Sequence, residues 1–301
     1  MKKQSKKRWA LLCLGIIMEI APGIVPPQSR ALLAMDWPQA AAAISANFGA
    51  NDRGLPCLFT VFESEDPVRA SGEGELIFMS APGGASRIPS PLGAWMALDH
   101  GDGLISIYGH LENPSPVPVP NHPEQGRVIA AAGQSGWSNR KGFSFALFDR
   151  KERRWINPSM ILSHLPDTMA PVFHSAELID SEGRVFNLGT AKNISQGRYT
   201  LFVHASDTML TAQEPQIAPY SILYSVNGQE AGELAFGTYS ARDGALMTPR
   251  NGLVSVRQVY GRYPSFEAGE LWFTRGQSIL EIIVMDISGN SRNAVFRLQV
   301  D

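Results

Sequence analysis

The sequence predicts an all-β protein. Short apolar runs alternate with turn residues along most of the 301-residue chain, and few segments show the apolar spacing of a helix. The last run, AVFRLQV (294–300), alternates cleanly, so Phe296, Leu298 and Val300 are expected on one face of a strand. A composition of 44% hydrophobic and 18% charged residues is typical of a folded protein, and the length allows two domains.

Residues 1–34 differ from the rest of the chain. A basic start, MKKQSKKR, precedes the apolar run ALLCLGIIM (10–18), which is too short to span a membrane comfortably. This layout is typical of a signal peptide, here with cleavage after Ala31 or Ala34, and an uncleaved N-terminal anchor is the alternative. Cys13 is a weak candidate for lipidation, because Leu12 precedes it where a small residue is expected. We therefore expect an exported protein, periplasmic or in the cell envelope, without a transmembrane span once the leader is removed.

The remaining chain is acidic and has a single thiol. It keeps 20 basic and 27 acidic residues, a formal net charge of about −7, so nucleic acid is not an expected partner. Cys57 has no second cysteine with which to form an intramolecular disulfide. Its apolar neighbours favour a buried structural thiol over a nucleophile.

Residues 35–165 are predicted to form a first β domain, rich in glycine. Turn signals such as GDG (101–103), which favours a hairpin, separate its expected strands. INPSMILSHL (156–165) is predicted to make one short helix or turn. The expected strands are ELIFM (75–79), AWMALDH (94–100), GLISIYGHL (103–111), RVIAAAG (127–133) and FSFALFD (143–149).

PDTMAP (166–171) is predicted to be a linker, and residues 172–301 a second all-β domain. Several strands over about 130 residues fit a β-sandwich of immunoglobulin-like type. MDISGNS (285–291) is interpreted as a turn at a strand end rather than as a Ca²⁺ site. The expected strands are GRYTLFVHASD (197–207), YSILYSVNG (220–228), LVSVRQVYG (253–261), SILEIIVMDISGN (278–290) and AVFRLQV.

Five segments in the first domain follow one another at a characteristic spacing. They are ISANFGAN, EDPVRASGEGEL, MALDHGDGLISIYGHL, GRVIAAAGQSGWS and WINPSMIL. Together they resemble the M23 (LytM-type) peptidases, zinc endopeptidases that cut peptide cross-links in bacterial cell walls. The resemblance covers about residues 37–162. It implies an M23/LytM-type β-sheet core, similar to a duplicated hybrid motif, ahead of the immunoglobulin-like sandwich.

The same resemblance implies where zinc ligands would lie. Family members bind zinc through the His and Asp of H-x-x-x-D and the second His of H-x-H, which leaves a fourth position for water. In this chain the first pair falls on Leu55 and Phe59, and the H-x-H positions fall on Ser144 and Ala146. Leu55, Phe59 and Ala146 have no lone pair for a metal, so we expect no cofactor. We also expect the apolar replacements to fill the former metal pocket.

The family's groove remains as a possible binding site. Its candidates are Tyr108, His110, Trp137, Phe143 and Ser144, with ordinary packing as the alternative for each. His110 matches a family histidine that orients or deprotonates the attacking water, and pairing across the GDG turn is expected to place it near Ala94. No nucleophile is predicted at Ser135, which reads as a turn serine. The other histidines lack ligand spacing and are expected to be ordinary: His100, His122, His164, His174 and His204.

Known degenerate relatives activate separate cell-wall amidases by contact. The resemblance therefore implies a catalytically inactive regulator or scaffold of a cell-wall hydrolase such as an amidase. A module that binds peptidoglycan peptides in the groove is the alternative. An active zinc metalloendopeptidase is the least favoured interpretation.

Overall fold

The structure is a computed structural model that describes residues 35–40, 43–52, 54–80, 90–113, 117–164, 167–207 and 218–301. These residues belong to one compact unit, Ala34–Asp301. The predicted signal peptide lies outside them. No helix in the described part of the chain is long and apolar enough to cross a membrane.

The first half of the described chain is built from short strands and one turn of 3₁₀ helix at Pro158–Met160. The Asn157 side chain caps that turn by accepting a hydrogen bond from Ser159 N at 3.1 Å, which confirms the short helix or turn predicted here. The strands are β1 Ile44–Ala46, β2 Asn51–Asp52, β3 Leu55–Pro56, β4 Thr60–Phe62, β5 Pro67–Arg69, β6 Glu75–Ser80, β7 Ala94–Asp99, β8 Leu104–Leu111, β9 Val128–Ala131, β10 Phe143–Asp149 and β11 Arg154–Ile156.

The second half is also almost entirely β structure, with one short helix, α1, at Val256–Tyr260. Its strands are β12 Val172–Asp180, β13 Val185–Asn187, β14 Asn193–Ile194, β15 Gly197–Ser206, β16 Ser221–Val226, β17 Gln229–Ala235, β18 Thr238–Arg242, β19 Ala245–Pro249, β20 Leu253–Ser255, β21 Phe266–Phe273, β22 Gly276–Met285 and β23 Ser291–Val300. The all-β prediction is confirmed.

One predicted strand is wrong in its second part. LVSVRQVYG begins as β20 but turns into α1 after Ser255, whose hydroxyl accepts a hydrogen bond from Arg257 N at 3.3 Å. The buried residues Val256, Val259 and Tyr260 have the i, i+3, i+4 spacing of a helix face. The alternating apolar residues at the start of the segment concealed this spacing.

A ten-stranded sheet forms the frame of the first half, with strand order β20-β19-β18-β11-β10-β8-β7-β6 and the β1–β4 pair joined to β10. The first three strands in this order, β20, β19 and β18, come from the second half of the sequence. They join the sheet because β11 pairs with β18 over Arg154–Ile156. The predicted division at 166–171 stays a prediction, and one sheet contains strands from both sides of it.

Two sheets make up the rest of the second half. One has the order β13-β12-β15-β21 and the other β14-β23-β22-β16-β17. Leu178 and Leu201 from the first sheet share a core with Ile222 and Leu280 from the second, as expected for a sandwich. In β23, Leu298 and Val300 are buried while Arg297 and Gln299 are exposed, which confirms the alternation predicted there.

The two cores are distinct but linked by the segment around Phe48. Phe48 comes from the first half, yet it is 1% exposed and belongs to the core of the sandwich. Its neighbour Gly49 accepts a hydrogen bond through its carbonyl from Tyr260 OH at 2.7 Å, and Tyr239 OH lies 2.5 Å from Tyr260 OH. The chain just before the predicted ligand positions is therefore fixed to the sandwich.

Candidate functional site

The groove is organised by a β-bulge in β8. Across the β7–β8 hairpin Met96 pairs with Tyr108 but Ala94 pairs with Leu111, so both Gly109 and His110 face the single residue between Met96 and Ala94. His110 has a φ of 61°, a left-handed conformation that is uncommon for a residue with a side chain. Bulges often re-aim a side chain next to a functional site. His110 therefore lies near Ala94, as expected, but the bulge makes Leu111 the direct partner of Ala94.

The imidazole of His110 is fixed by the loop after β9. Its Nδ1 donates to the Ser135 carbonyl oxygen at 2.9 Å, because a carbonyl can only accept. In the neutral ring this bond leaves Nε2 with its lone pair available. The backbone N–H of His110 donates to Leu92 O at 2.7 Å, so both ends of the residue are held.

Ser135 joins two strands and a loop around this histidine. Its hydroxyl donates to Leu111 O at 2.7 Å and accepts from Ala94 N at 2.8 Å. Its carbonyl accepts the His110 proton, so one residue joins β7, β8 and the loop after β9. Sequence reasoning identified Ser135 as a turn serine and missed this positioning role.

The predicted ligand positions Phe59 and Ala146 lie next to each other in sheet register. Thr60 at the start of β4 pairs with Phe145 of β10, so Phe59, just before β4, follows the same register towards Ala146. Ala146 is 0% exposed. The half-buried Phe59 ring lies 5.6 Å from the ring of Trp155. Phe59 thus makes an apolar packing contact and Ala146 is buried, while the refilling of a former metal pocket stays a prediction.

Leu55 does not behave as expected. It lies in the β2–β3 hairpin opposite Asp52 and is 54% exposed, so it fills no pocket. The segment just before this hairpin is anchored to the sandwich, since Phe48 belongs to the sandwich core and Gly49 O accepts a hydrogen bond from Tyr260 OH. Nearby Cys57 is half-buried and its Sγ donates to Phe59 O at 2.9 Å, and burial raises the pKa of the thiol.

These positions do not fit zinc. Alkyl and phenyl side chains at Leu55, Phe59 and Ala146 have no donor atom, and Ser144 has only a neutral hydroxyl. Within the described residues, three potential metal-binding side chains converge in the second half instead: carboxylate oxygens of Asp167, Asp207 and Asp286 lie within 4.8 Å of one another. Two hydrogen bonds from Asn290, through its backbone N and its side-chain Nδ2, hold the Asp286 carboxylate there.

The groove itself is a cavity of ≈ 370 Å³ between β1, β4 and the start of β10. His110 and Ser144 both line it, and Ser144 lies opposite Gly109 in the sheet. The cationic side chains at its rim are paired: Arg140 with Glu63 at 2.6 Å and Lys141 with Glu65 at 3.5 Å. These four charged residues were not predicted, since nothing in their local sequence distinguishes them from surface charges.

Two predicted groove residues turn out to be core residues. Tyr108 is 0% exposed, and its hydroxyl accepts a hydrogen bond from Ser71 N at 2.9 Å, so its prediction as a groove residue is wrong. Phe143 borders the cavity, but it is 1% exposed and its ring stacks on Phe62 at 4.6 Å. Trp137, in contrast, is 78% exposed. The structure thus groups His110 and Ser144 at the cavity, with Trp137 on the adjacent loop.

His100 is a hydrogen-bonded core histidine, as expected. Its Nδ1 donates to Glu73 O at 2.8 Å and its Nε2 lies 2.7 Å from Ser106 Oγ. Burial lowers the pKa of the imidazole, which favours the neutral ring. Ser106 Oγ is also hydrogen-bonded to Tyr108 OH at 3.2 Å. These three side chains therefore form a hydrogen-bonded chain that includes the β8 residues just before the bulge.

Comparison with known families gives a match at this site. The model of peptidase family M23 matches residues 59–158, the segment that contains β4, β8 and β10. Residues 59–158 are homologous to the M23 peptidases. Phe59 is the first residue of the M23 match and Leu55 lies outside it, so the assignment of the first ligand position to Leu55 stays a prediction. A second family model matches residues 170–301.

Several solved structures are similar to part of this chain. They include the catalytic domain of the antimicrobial peptidase lysostaphin from Staphylococcus simulans, with 22% identity over 35% of this chain and 77% of that one and a TM-score of 0.29. A zinc-containing peptidase from Vibrio cholerae has 20% identity over 44% of this chain and 41% of that one, with a TM-score of 0.35. The SpoIIQ–SpoIIIAH pore-forming complex has 16% identity over 44% of this chain and 93% of that one, with a TM-score of 0.32. Curated protein sequences give no match.

Proposed function

We propose that this protein is an exported, catalytically inactive M23 homologue that acts in cell-wall remodelling as a regulator or scaffold of a separate hydrolase. The observation that carries the proposal is the pair Phe59 and Ala146. By the resemblance they stand where a peptidase of this family has an Asp and a His, and the register of β4 with β10 supports placing them next to each other.

The chemistry of these two positions argues against zinc hydrolysis. Zinc sites made of several protein ligands are worth on the order of 10 kcal/mol or more, and they require deprotonated N, O or S donors. A phenyl ring and a methyl group supply none. The apolar contact between Phe59 and Trp155 instead contributes to stability by burial. His110 alone is one imidazole, too few ligands to retain the ion.

The groove is nevertheless organised for binding. The fixed tautomer of His110 leaves Nε2 as an acceptor at a cavity that Ser144 also lines. Ion-paired Arg140 and Lys141 lie at the same cavity. These groups can hydrogen-bond an extended peptide without performing chemistry on it, which also supports the second candidate function, a peptidoglycan-peptide binding module.

Export is part of the proposal, because cell-wall partners are outside the cytoplasm. Its support is the basic and apolar layout of residues 1–34. Mass determination of the N-terminus of protein recovered from the cell envelope tests it. A mature chain that starts at Leu32 or Met35 is expected, and an intact Met1 in all of the recovered protein would contradict cleavage.

The role is tested with isolated peptidoglycan, residues 35–301 and a wall amidase from the same cells. A regulator raises the rate at which the amidase solubilises the wall, and a His110→Ala variant with an intact fold loses part of that effect. A binding module sediments with the wall and leaves the rate unchanged. Solubilisation by the chain alone, abolished by a zinc chelator, would contradict the proposal of inactivity.

A further inference from the structure

The loop between β9 and β10 holds its backbone rigidly while it exposes a large aromatic side chain. Gly133 and Gly142 close the loop by exchanging two N–H···O bonds of 2.8 Å. Inside it, Trp137 N donates to Pro91 O at 2.9 Å. The Trp137 side chain is nevertheless 78% exposed, the largest exposure of any large hydrophobic residue in the described part of the chain.

A close glycine contact fixes the loop next to Trp137. Gly136 has a φ of 69° and Gly93 a φ of 63°. A Cβ on Gly136 would lie 2.3 Å from Gly93 N, and a Cβ on Gly93 would lie 2.3 Å from Gly136 N. Only glycine allows the two backbones to approach this closely without a shift. The backbone position from which the indole projects is therefore set before any ligand arrives.

The two sequence neighbours of Trp137 line two different cavities. Gly136, just before Trp137, lines a cavity of ≈ 500 Å³ together with Gln134 and Glu112. Ser138, just after it, lines the groove of ≈ 370 Å³ together with Asn139. The Trp137 backbone therefore lies between two cavities that both present amide and hydroxyl groups.

An exposed indole on a loop with a fixed backbone, next to two hydrogen-bonding cavities, matches the chemistry of a sugar ring. A pyranose has one face of C–H groups, which packs on an aromatic face, and a rim of hydroxyl and amide groups, which need polar partners. A Trp side chain has only two torsions to order, so its entropy cost on binding is low.

We propose that Trp137 is the stacking platform for a pyranose ring of a glycan chain, with adjoining sugars or their substituents in the two flanking cavities. The proposal deepens the function given above, since a wall-directed protein meets glycan strands as well as peptides, and it rests on that function. It assigns the glycan, rather than the peptide, to the Trp137 loop.

The test is a titration of residues 35–301 with a peptide-free tetramer of N-acetylglucosamine, followed through the indole N–H resonances in ¹H–¹⁵N NMR spectra. The resonance that disappears in Trp137→Ala is expected to shift with millimolar ligand. In that variant the Kd is expected to rise about tenfold or more, in line with the usual value of one stacking contact. A matched control is Trp272→Ala, since Trp272 is 59% exposed on β21. It is expected to leave the Kd unchanged.

Three results would overturn the glycan proposal: no shift at millimolar tetramer, equal affinity of the Trp137→Ala and unsubstituted chains, or an equal loss in Trp272→Ala. A stem peptide without sugar provides the other arm, and binding of that peptide that depends on Trp137 would also overturn it. Failure of the proposed function has a different signature, because the chain would then neither sediment with intact peptidoglycan nor change amidase activity. Wall binding that is insensitive to Trp137→Ala leaves that function standing and removes only the glycan assignment.

Discussion

Removal of the Ser135 hydroxyl should destabilise the protein more than any comparable change in the same loop. The hydroxyl donates to Leu111 O at 2.7 Å and accepts from Ala94 N at 2.8 Å, and both bonds are partly buried. Ser135→Ala leaves one backbone acceptor and one backbone donor without their partners. An unsatisfied buried group costs about 1–3 kcal/mol.

Two such groups would give about 4 kcal/mol if both were fully buried, but the two bonds are only partly buried and Ser135 lines the open cavity of ≈ 500 Å³. We therefore expect Ser135→Ala to lower the free energy of unfolding by about 2 kcal/mol. Ser135→Thr keeps the hydroxyl and should retain most of that stability. Ser138→Ala is the control, because its bond to Arg140 O is solvent-exposed and its loss should cost no more than about 0.5 kcal/mol.

Urea unfolding of residues 35–301 and the three variants measures these differences, with the slope against urea concentration checked for constancy. The His110 ring resonances report the second consequence, since Ser135 also positions that imidazole through its carbonyl. The reasoning is refuted if Ser135→Ala costs no more than Ser138→Ala, or if Ser135→Thr is as damaging as Ser135→Ala.

Three further predictions concern buried polar groups. Tyr260→Phe removes the hydroxyl that donates to Gly49 O, so the free energy of unfolding should fall by about 1–3 kcal/mol in urea titrations; an unchanged value would contradict a joint between the two halves. Burial holds the pKa of His100 below its ordinary value of 6.5, so below that pH the unfolded chain binds more protons and stability falls with acidification. His100→Gln should flatten this loss between about pH 6.5 and 5 in urea titrations, and an unchanged slope would contradict it. Burial raises the pKa of Cys57, so a thiol reagent at pH 8 should modify the native chain far more slowly than the urea-unfolded chain, and equal rates would contradict the burial.

The strands of the first half could be predicted from sequence because apolar runs and turn residues mark them locally. FSFALFD was predicted at 143–149 and β10 covers Phe143–Asp149. The bulge in β8 could not be predicted, since Gly109–His110 continues the same pattern as the regular strand. Its cause is a set of distant bonds, from His110 to Leu92 and Ser135, which no local rule contains.

Relations between the two halves were also beyond sequence reasoning. β18 to β20 extend the sheet of the first half, although about 80 residues of sequence separate β18 from its partner β11. The burial of Phe48 in the sandwich core likewise depends on the tertiary arrangement and not on its neighbours in sequence. In the site, the residue types at Phe59 and Ala146 were readable from the motif, whereas the burial of Tyr108 and the exposure of Leu55 required the fold.

The most direct test of the inactive-homologue account is zinc titration calorimetry on purified residues 35–301, with the metal content of the untreated protein as control. With no donor atom at Leu55, Phe59 or Ala146, the account predicts no binding heat at micromolar zinc and no zinc in the purified protein. Binding of one zinc per chain that is lost in His110→Ala would contradict it and would restore the peptidase interpretation.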